Sequence, residues 1–137
     1  MKISNSMTWM LASILLAAWT SPVVAQSAYP DRPIRFVVGY PPGQSVDMIA
    51  RTFATAMSRE LGQNIIVDNK PGANGIVGAQ EVKNAKPDGY TVLVGTSGQL
   101  TINPGLYKKL PYDVQKDFVS VGLIGKAPTV LIANPSF

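Results

Sequence analysis

Three short runs rich in β-branched and aromatic residues, Ile34 to Gly39, Ile65 to Val67 and Tyr90 to Gly95, each stop in a loop of small, polar and turn-forming residues. That punctuation constrains the fold more than any other feature of the chain. Ile34-Arg35-Phe36-Val37-Val38-Gly39 is bounded by Pro33 and Gly39 and reads as a strand, buried on both faces beyond Arg35. Between the first and second runs, Val46, Ile49, Ala50, Phe53, Met57 and Leu61 recur at three- and four-residue steps. The spacing predicts a helix with one stripe turned to a core, and Arg51, Ser58, Arg59 and Glu60 lie largely off that stripe. Ser45 is placed to cap its start, Asp47 suits the positive end of its dipole, and Gly62 is placed to end it in a left-handed cap. A second helix is expected from near Gly75 to about Ala85, with Val77, Val82 and Ala85 inward, before the Lys86-Pro87-Asp88-Gly89 turn. The order βαβαβ predicts an α/β fold with a parallel sheet and right-handed crossovers.

Beyond the third run the pattern is looser. Thr101 to Leu110 reads as a short irregular helix interrupted by Pro104-Gly105, and Pro111 to Phe118 as loop. Val119 to Ile124 and Thr129 to Ala133 are two further strand candidates, split by Lys126-Ala127-Pro128. At the other end, Lys2, the apolar stretch Met7 to Ala18 and the small residues before Gln26 match a secretory signal peptide cleaved after Ala25, so residues 1–25 are expected to be removed on export. The apolar stretch is shorter than the roughly 20 residues a spanning helix needs, which disfavours a retained anchor. Gln26 to Pro33 then reads as an extended leader.

Composition removes most chemistry. The 137-residue chain has no cysteine and no histidine, so disulfides, thiolate nucleophiles, Ser-His pairs and the common zinc sites are excluded, as is a cysteine-linked lipid anchor. Net charge is +4 with Lys and Arg scattered, which points to a solvated surface and not to a nucleic-acid footprint. No base and nucleophile constellation suggests an enzyme. Glycines in a βαβ unit invite a nucleotide, yet Gly72, Gly75 and Gly78 have the spacing G-x-x-G-x-x-G and miss the dinucleotide motif. A P-loop at Gly125-Lys126 fails as well, since Ser120 and Ala127 stand where Gly and Ser or Thr are required.

What remains are the loops after the three strands: Gly39 to Asp47, Asn69 to Gly75, and Gly95 to Leu100. In an open α/β sheet, ligands sit beyond the carboxyl ends of the strands, and helix N-termini there offer unpaired amides to an anion. A carboxylate is the natural guest. Taken singly, each loop is better explained by helix capping and chain reversal; three in succession weaken that reading and favour a site. Asp47 is open to two readings, helix stabilisation or contact with an amine on the ligand, and Tyr40 to two, a pocket wall or a cover for the core edge.

At these residues the chain resembles the substrate-binding proteins of tripartite tricarboxylate transporters, the Bug family of periplasmic solute receptors. The resemblance is carried by Tyr29-Pro30-Asp31-Arg32-Pro33-Ile34, by Pro41-Pro42-Gly43 with Asp47-Met48-Ile49-Ala50-Arg51, and by Asn69-Lys70-Pro71-Gly72-Ala73 with Gly75 and Gly78. It continues through Pro87-Asp88-Gly89-Tyr90, Gly95-Thr96-Ser97, Ile102-Asn103-Pro104, Leu110-Pro111-Tyr112-Asp113 and Lys116-Asp117-Phe118. It implies a periplasmic binding protein-like fold of type II, in which two lobes close on a small carboxylate or dicarboxylate and deliver it to a membrane permease. No cofactor or metal is implied. Carried over residue by residue, ligand contact falls on Tyr40, Gly43 and Ser45 in the first loop, Ala73 and Asn74 in the second, and Thr96, Ser97 and Gln99 in the third.

Two departures from the family pattern stand out. Where the family has a second glycine after Pro-Pro-Gly, this chain has Gln44; a positive φ there would strain it by about 1–2 kcal/mol, so either the loop is reshaped or Gln44 reaches for the ligand. The chain is also much shorter than the family's receptors, so residues 26–137 are expected to be an incomplete first lobe with the second lobe absent. Two functions follow: a receptor fragment that binds a carboxylate weakly, or a truncated gene product without a transport role.

Overall fold

The computed structural model describes residues 29–126 and 130–136. The expected signal peptide, residues 1–25, lies outside the described residues, as does Thr129. Among the described residues, no helix is long and apolar enough to cross a membrane.

Strand β1 spans Ile34–Val38, helix α1 Ser45–Leu61, β2 Ile65–Asn69, a tight turn Ala73–Gly75, α2 Ile76–Lys83 and β3 Thr91–Val94. The three strands form one parallel sheet in the order β2-β1-β3. The chain therefore leaves β1 to one side, crosses back over it and returns on the other, which makes β1 the point where strand order reverses. Register places Val38 opposite both Asn69 and Val94, so all three strands end level and their loops open on one edge.

Alternation along β1 divides its side chains between the helices. Ile34, Phe36 and Val38 join Ala50 and Ala54 of α1 and Val94 of β3 in the main core. On the opposite face Val37 is fully buried, and Arg35 bridges Asp68 of β2 and Glu81 of α2 at 3.1 and 2.9 Å. Those two carboxylates, Glu81 first, raise the Arg35 pKa despite its partial burial. The helices thus cover opposite faces of the sheet, α1 on β1 and β2, α2 on β1 and β3.

Helix α1 follows its expected span, with Gly62 left-handed (φ +64°) at its end, but its details differ. Ala50 and Ala54 are its buried apolar residues, while Ile49 and Phe53 remain 49% and 37% exposed. Two alanines let the helix approach the sheet closely, and a sheet of three strands is too narrow to cover the flank that carries Ile49 and Phe53. Ser45 is the first helical residue and not the cap. Gln44 holds the cap position with φ −74° and ψ 162° and makes no side-chain capping bond.

The second helix starts at Ile76, next to the expected Gly75, after Ala73 and Asn74 take positive φ (+46° and +52°) and hold the chain in a left-handed turn. After β3, a π-helical turn spans Gly98–Ile102 and runs into a short helix α3, Asn103–Leu106. Within the expected loop, Val114–Asp117 forms a further short helix, α4, started by Asp113, whose carboxylate accepts the Gln115 and Lys116 amides. The strand candidates after Phe118 are not realised among the described residues. Val119, Val121 and Leu123 stand 92%, 89% and 74% exposed, and Leu131 is wholly exposed. A strand exists only by pairing, and these residues pair with neither outer edge of the β2-β1-β3 sheet.

Candidate functional site

Backbone contact, permitted by absent side chains, joins the three loops. A Cβ on Gly39 would lie 2.5 Å from Gln99 Nε2 and 2.8 Å from the Gly75 Cα, so loop one touches loops two and three at the same point. Only glycine fits there. Gln99 fills the junction. Its side chain is fully buried, Nε2 donates to the Gly75 carbonyl at 2.8 Å, and Oε1 accepts the Thr96 amide at 3.1 Å. Its own carbonyl accepts the buried Tyr112 hydroxyl at 2.7 Å. The resemblance assigns Gln99 to the ligand; the structure places it behind the loops with both ends of its amide occupied.

The first loop is set by Asp47. This carboxylate is 2% exposed, accepts the Gly43 amide at 2.8 Å, and is paired with Arg51 one helical turn on. Asn69, at the end of β2, donates both to Asp47 Oδ1 at 2.9 Å and to the Tyr40 carbonyl at 3.0 Å. Arg51, then the Gly43 amide and Asn69, hold the Asp47 carboxyl down to about 2, so it is ionised at neutral pH. Of the two readings open in the sequence, the structural one holds: Asp47 ties the start of α1 to loop one and to the end of β2. Gly43 takes φ +84°, and the sharp turn falls there; Gln44 is in an extended conformation that any residue adopts without strain.

Tyr40 is half-buried, and its hydroxyl lies 2.9 Å from Thr96 Oγ1, which bridges loops one and three. Gln44, Ser45 and Ser97 are exposed around the same mouth, and Ser45 opens α1, whose first amides have no partner within the helix. In loop two, Ala73 and Asn74 are exposed within the left-handed turn. Asn74 Nδ2 donates to Asn103 Oδ1 at 2.8 Å, and Asn103 Nδ2 returns a bond to the Asn74 carbonyl at 3.1 Å. The assigned residues therefore gather at one sheet edge, with Gln99 beneath them and the Asn74 amide group partly engaged.

Sequence reasoning missed Asn103, Asn69 and Tyr112 as parts of this assembly. Asn69 stands at a strand end and Asn103 before Pro104, where an asparagine is usually a turn former; nothing local marks either as a brace between loops. Among the described residues no group of His, Cys, Asp and Glu is placed to hold a metal ion. The mouth is lined by amides, hydroxyls and carboxamides, without a cation among the assigned residues. Chemically it can accept an anion such as a carboxylate by hydrogen bonding, and Asp47, whose charge is paired with Arg51, opposes it little.

The chain is similar to known proteins over much of its length. Residues 49–137 match the model of the tripartite tricarboxylate transporter family receptor, TctC. The chain is 44% identical over 124 residues to the UPF0065 protein in the tcbD-tcbE intergenic region of Pseudomonas sp. (strain P51), covering 89% of this chain and 37% of that protein. Among solved structures, the periplasmic binding protein BugD superposes with a TM-score of 0.60 at 38% identity, over 66% of this chain and 30% of BugD. MatC from Rhodopseudomonas palustris, solved with bound malate, gives 0.64 at 38% identity, over 66% of this chain and 31% of MatC. The chain thus spans a little over a third of the curated relative's length. Its three-stranded sheet is that of the periplasmic binding proteins, a group of solute receptors and not of enzymes. With the matched span covering most of the chain, and solved members at 38% identity superposing over about two-thirds of it, this chain belongs to the TctC family of tripartite tricarboxylate transporter receptors.

Proposed function

We propose that this chain supplies one wall of an extracytoplasmic receptor that captures a small carboxylate or dicarboxylate and presents it to the membrane permease of a tripartite transporter. The observation that carries the reading is the level ending of three parallel strands, which brings the Tyr40 and Thr96 hydroxyls, the start of α1 and the left-handed turn at Ala73 to one mouth. Malate bound to MatC and the periplasmic description of BugD support the ligand class and the location.

In this reading the Tyr40 and Thr96 hydroxyls and the free amides of Ser45 and Val46 hold one carboxylate oxygen pair, with the α1 dipole adding to the attraction. Ala73, Asn74 and Ser97 close the sides, Gln44 stands at the rim, and Gly43 makes the turn that aims the α1 amides. Gln99 acts from behind by fixing Gly75 and Thr96 relative to one another. Because the described residues grip a guest from one side and leave water on the other, the expected dissociation constant is on the order of 1 mM.

Titration of the full chain with succinate and with malate, followed by amide chemical shifts, tests this. Saturable shifts are expected at residues 43–46, 73–74 and 96–97, and Tyr40→Phe should weaken binding about threefold to tenfold, the loss of one hydrogen bond. Shifts that never saturate, or that map away from the three loops, would remove the proposal.

A further inference from the structure

The Ala73–Gly75 turn is held in a conformation its own sequence does not favour. Ala73 sits at φ +46° and Asn74 at φ +52°, in the left-handed region, which asparagine tolerates and alanine resists. Within the turn the Gly75 amide donates to the Gly72 carbonyl at 2.9 Å and the Ile76 amide to the Ala73 carbonyl, too little to offset that resistance in an exposed loop. The restraint comes from across the sheet edge. Asn103 is fully buried, and its side-chain amide closes a reciprocal pair with Asn74, accepting from Nδ2 at 2.8 Å and donating to the main-chain carbonyl at 3.1 Å. Gripping side chain and backbone of one residue together leaves residue 74 a single orientation. One turn earlier, Gln99 holds the next carbonyl, that of Gly75.

We propose that Asn103 is a positioning residue of the ligand mouth: by clamping Asn74 from the start of α3, just beyond the third loop, it keeps the second loop in the left-handed turn that presents the Ala73 and Asn74 amides. That these amides meet a carboxylate rests on the functional reading above; the clamping does not.

The two are separated by amide hydrogen exchange on the full chain, without ligand, for Asn103→Ala, Asn103→Asp, and Asn103→Ala combined with Ala73→Gly. The Gly75 and Ile76 amides report the turn, and the Arg35 amide, bonded to the Tyr90 carbonyl, reports the sheet. Asn103→Ala is expected to speed exchange at Gly75 and Ile76 by about tenfold or more beyond any change at Arg35, from the loss of two hydrogen bonds. Asn103→Asp, which loses the donor and sets a buried carboxylate against the Asn74 carbonyl, speeds exchange at least as much as Asn103→Ala. Adding Ala73→Gly returns the turn to within about threefold of the parent, because glycine enters the left-handed region freely. Equal acceleration at all three amides, or no recovery with Ala73→Gly, overturns the proposal. Succinate titration of the same proteins then bears on the mouth: binding weakened by Asn103→Ala and recovered by Ala73→Gly extends the clamp to ligand capture. A parent chain that does not bind succinate counts against the functional reading alone, while the exchange result stands.

Discussion

Replacing Gln99 by methionine separates a residue that supports the loops from one that reaches a ligand. Methionine matches glutamine in length and volume but offers neither an amide donor nor a carbonyl acceptor. The substitution therefore leaves the Gly75 carbonyl and the Thr96 amide, bonded at 2.8 and 3.1 Å in the parent, without partners in a site that is closed to water at Gln99. At about 1–3 kcal/mol for the orphaned, buried Gly75 carbonyl, and less for the Thr96 amide of a half-buried residue, the cost is at least about 1–3 kcal/mol, with little added by the volume-conserving exchange. That is a large share of the roughly 5–15 kcal/mol that holds a domain of this size together. Urea denaturation of the full chain, followed by circular dichroism, should show the midpoint falling with the slope unchanged. Ser97→Ala, two residues away and exposed, serves as control and should stay within about 0.5 kcal/mol of the parent. A Gln99→Met cost as small as that of Ser97→Ala would mean that the Gln99 amide is not committed to the loops, and the account of the junction at Gly39 would be wrong.

Acid should loosen the first loop. Asp47 has a folded pKa of about 2 against an ordinary value of 3.8, and a depressed carboxyl stabilises the fold above its unfolded pKa and loses that contribution as pH falls toward the folded one. Melting temperature should therefore drop between about pH 4 and pH 2, and the drop should be shallower in Asp47→Asn; Asp113 and Asp117, also lowered by their Lys and backbone-amide partners, deepen the fall in both proteins. A parent and an Asp47→Asn curve of the same shape would refute the role given to Asp47. Gln44 offers a gain, since it caps α1 without a side-chain bond: Gln44→Ser supplies one and should stabilise by about 0.5–2 kcal/mol, read by urea midpoint, and no gain would show that the α1 amides are already satisfied.

Much of the fold was legible because it depends on local pattern. The apolar runs at Ile34, Ile65 and Tyr90, the helical stripe ending at Gly62, and the polar loop after each strand are readable from spacing alone, and together they dictate βαβαβ. The helix start was misread at Ser45 because capping geometry turns on one residue's dihedrals, and Gly43 took the positive φ that had been considered for Gln44. The segment Val119 to Ile124 has strand composition, but a strand is made by its neighbour, and composition says nothing about whether an edge is at hand. The resemblance assigns Gln99 to the ligand, but burial is a property of the assembled loops that no single position in the sequence carries, and the structure has the Gln99 amide buried and bonded to Gly75 and Thr96.

The sequence by itself determined the parallel sheet, the edge on which the three loops open, and the absence of histidine and cysteine chemistry, since periodicity, punctuation and composition are local properties. Only the tertiary structure decided which polar residues face the mouth and which brace it. Asn69, Gln99 and Asn103 each bond across more than twenty residues of chain, to Tyr40 and Asp47, to Gly75 and to Asn74. Such bonds are set by how closely the loop backbones approach, which the packing of two helices on opposite faces of one sheet alone decides.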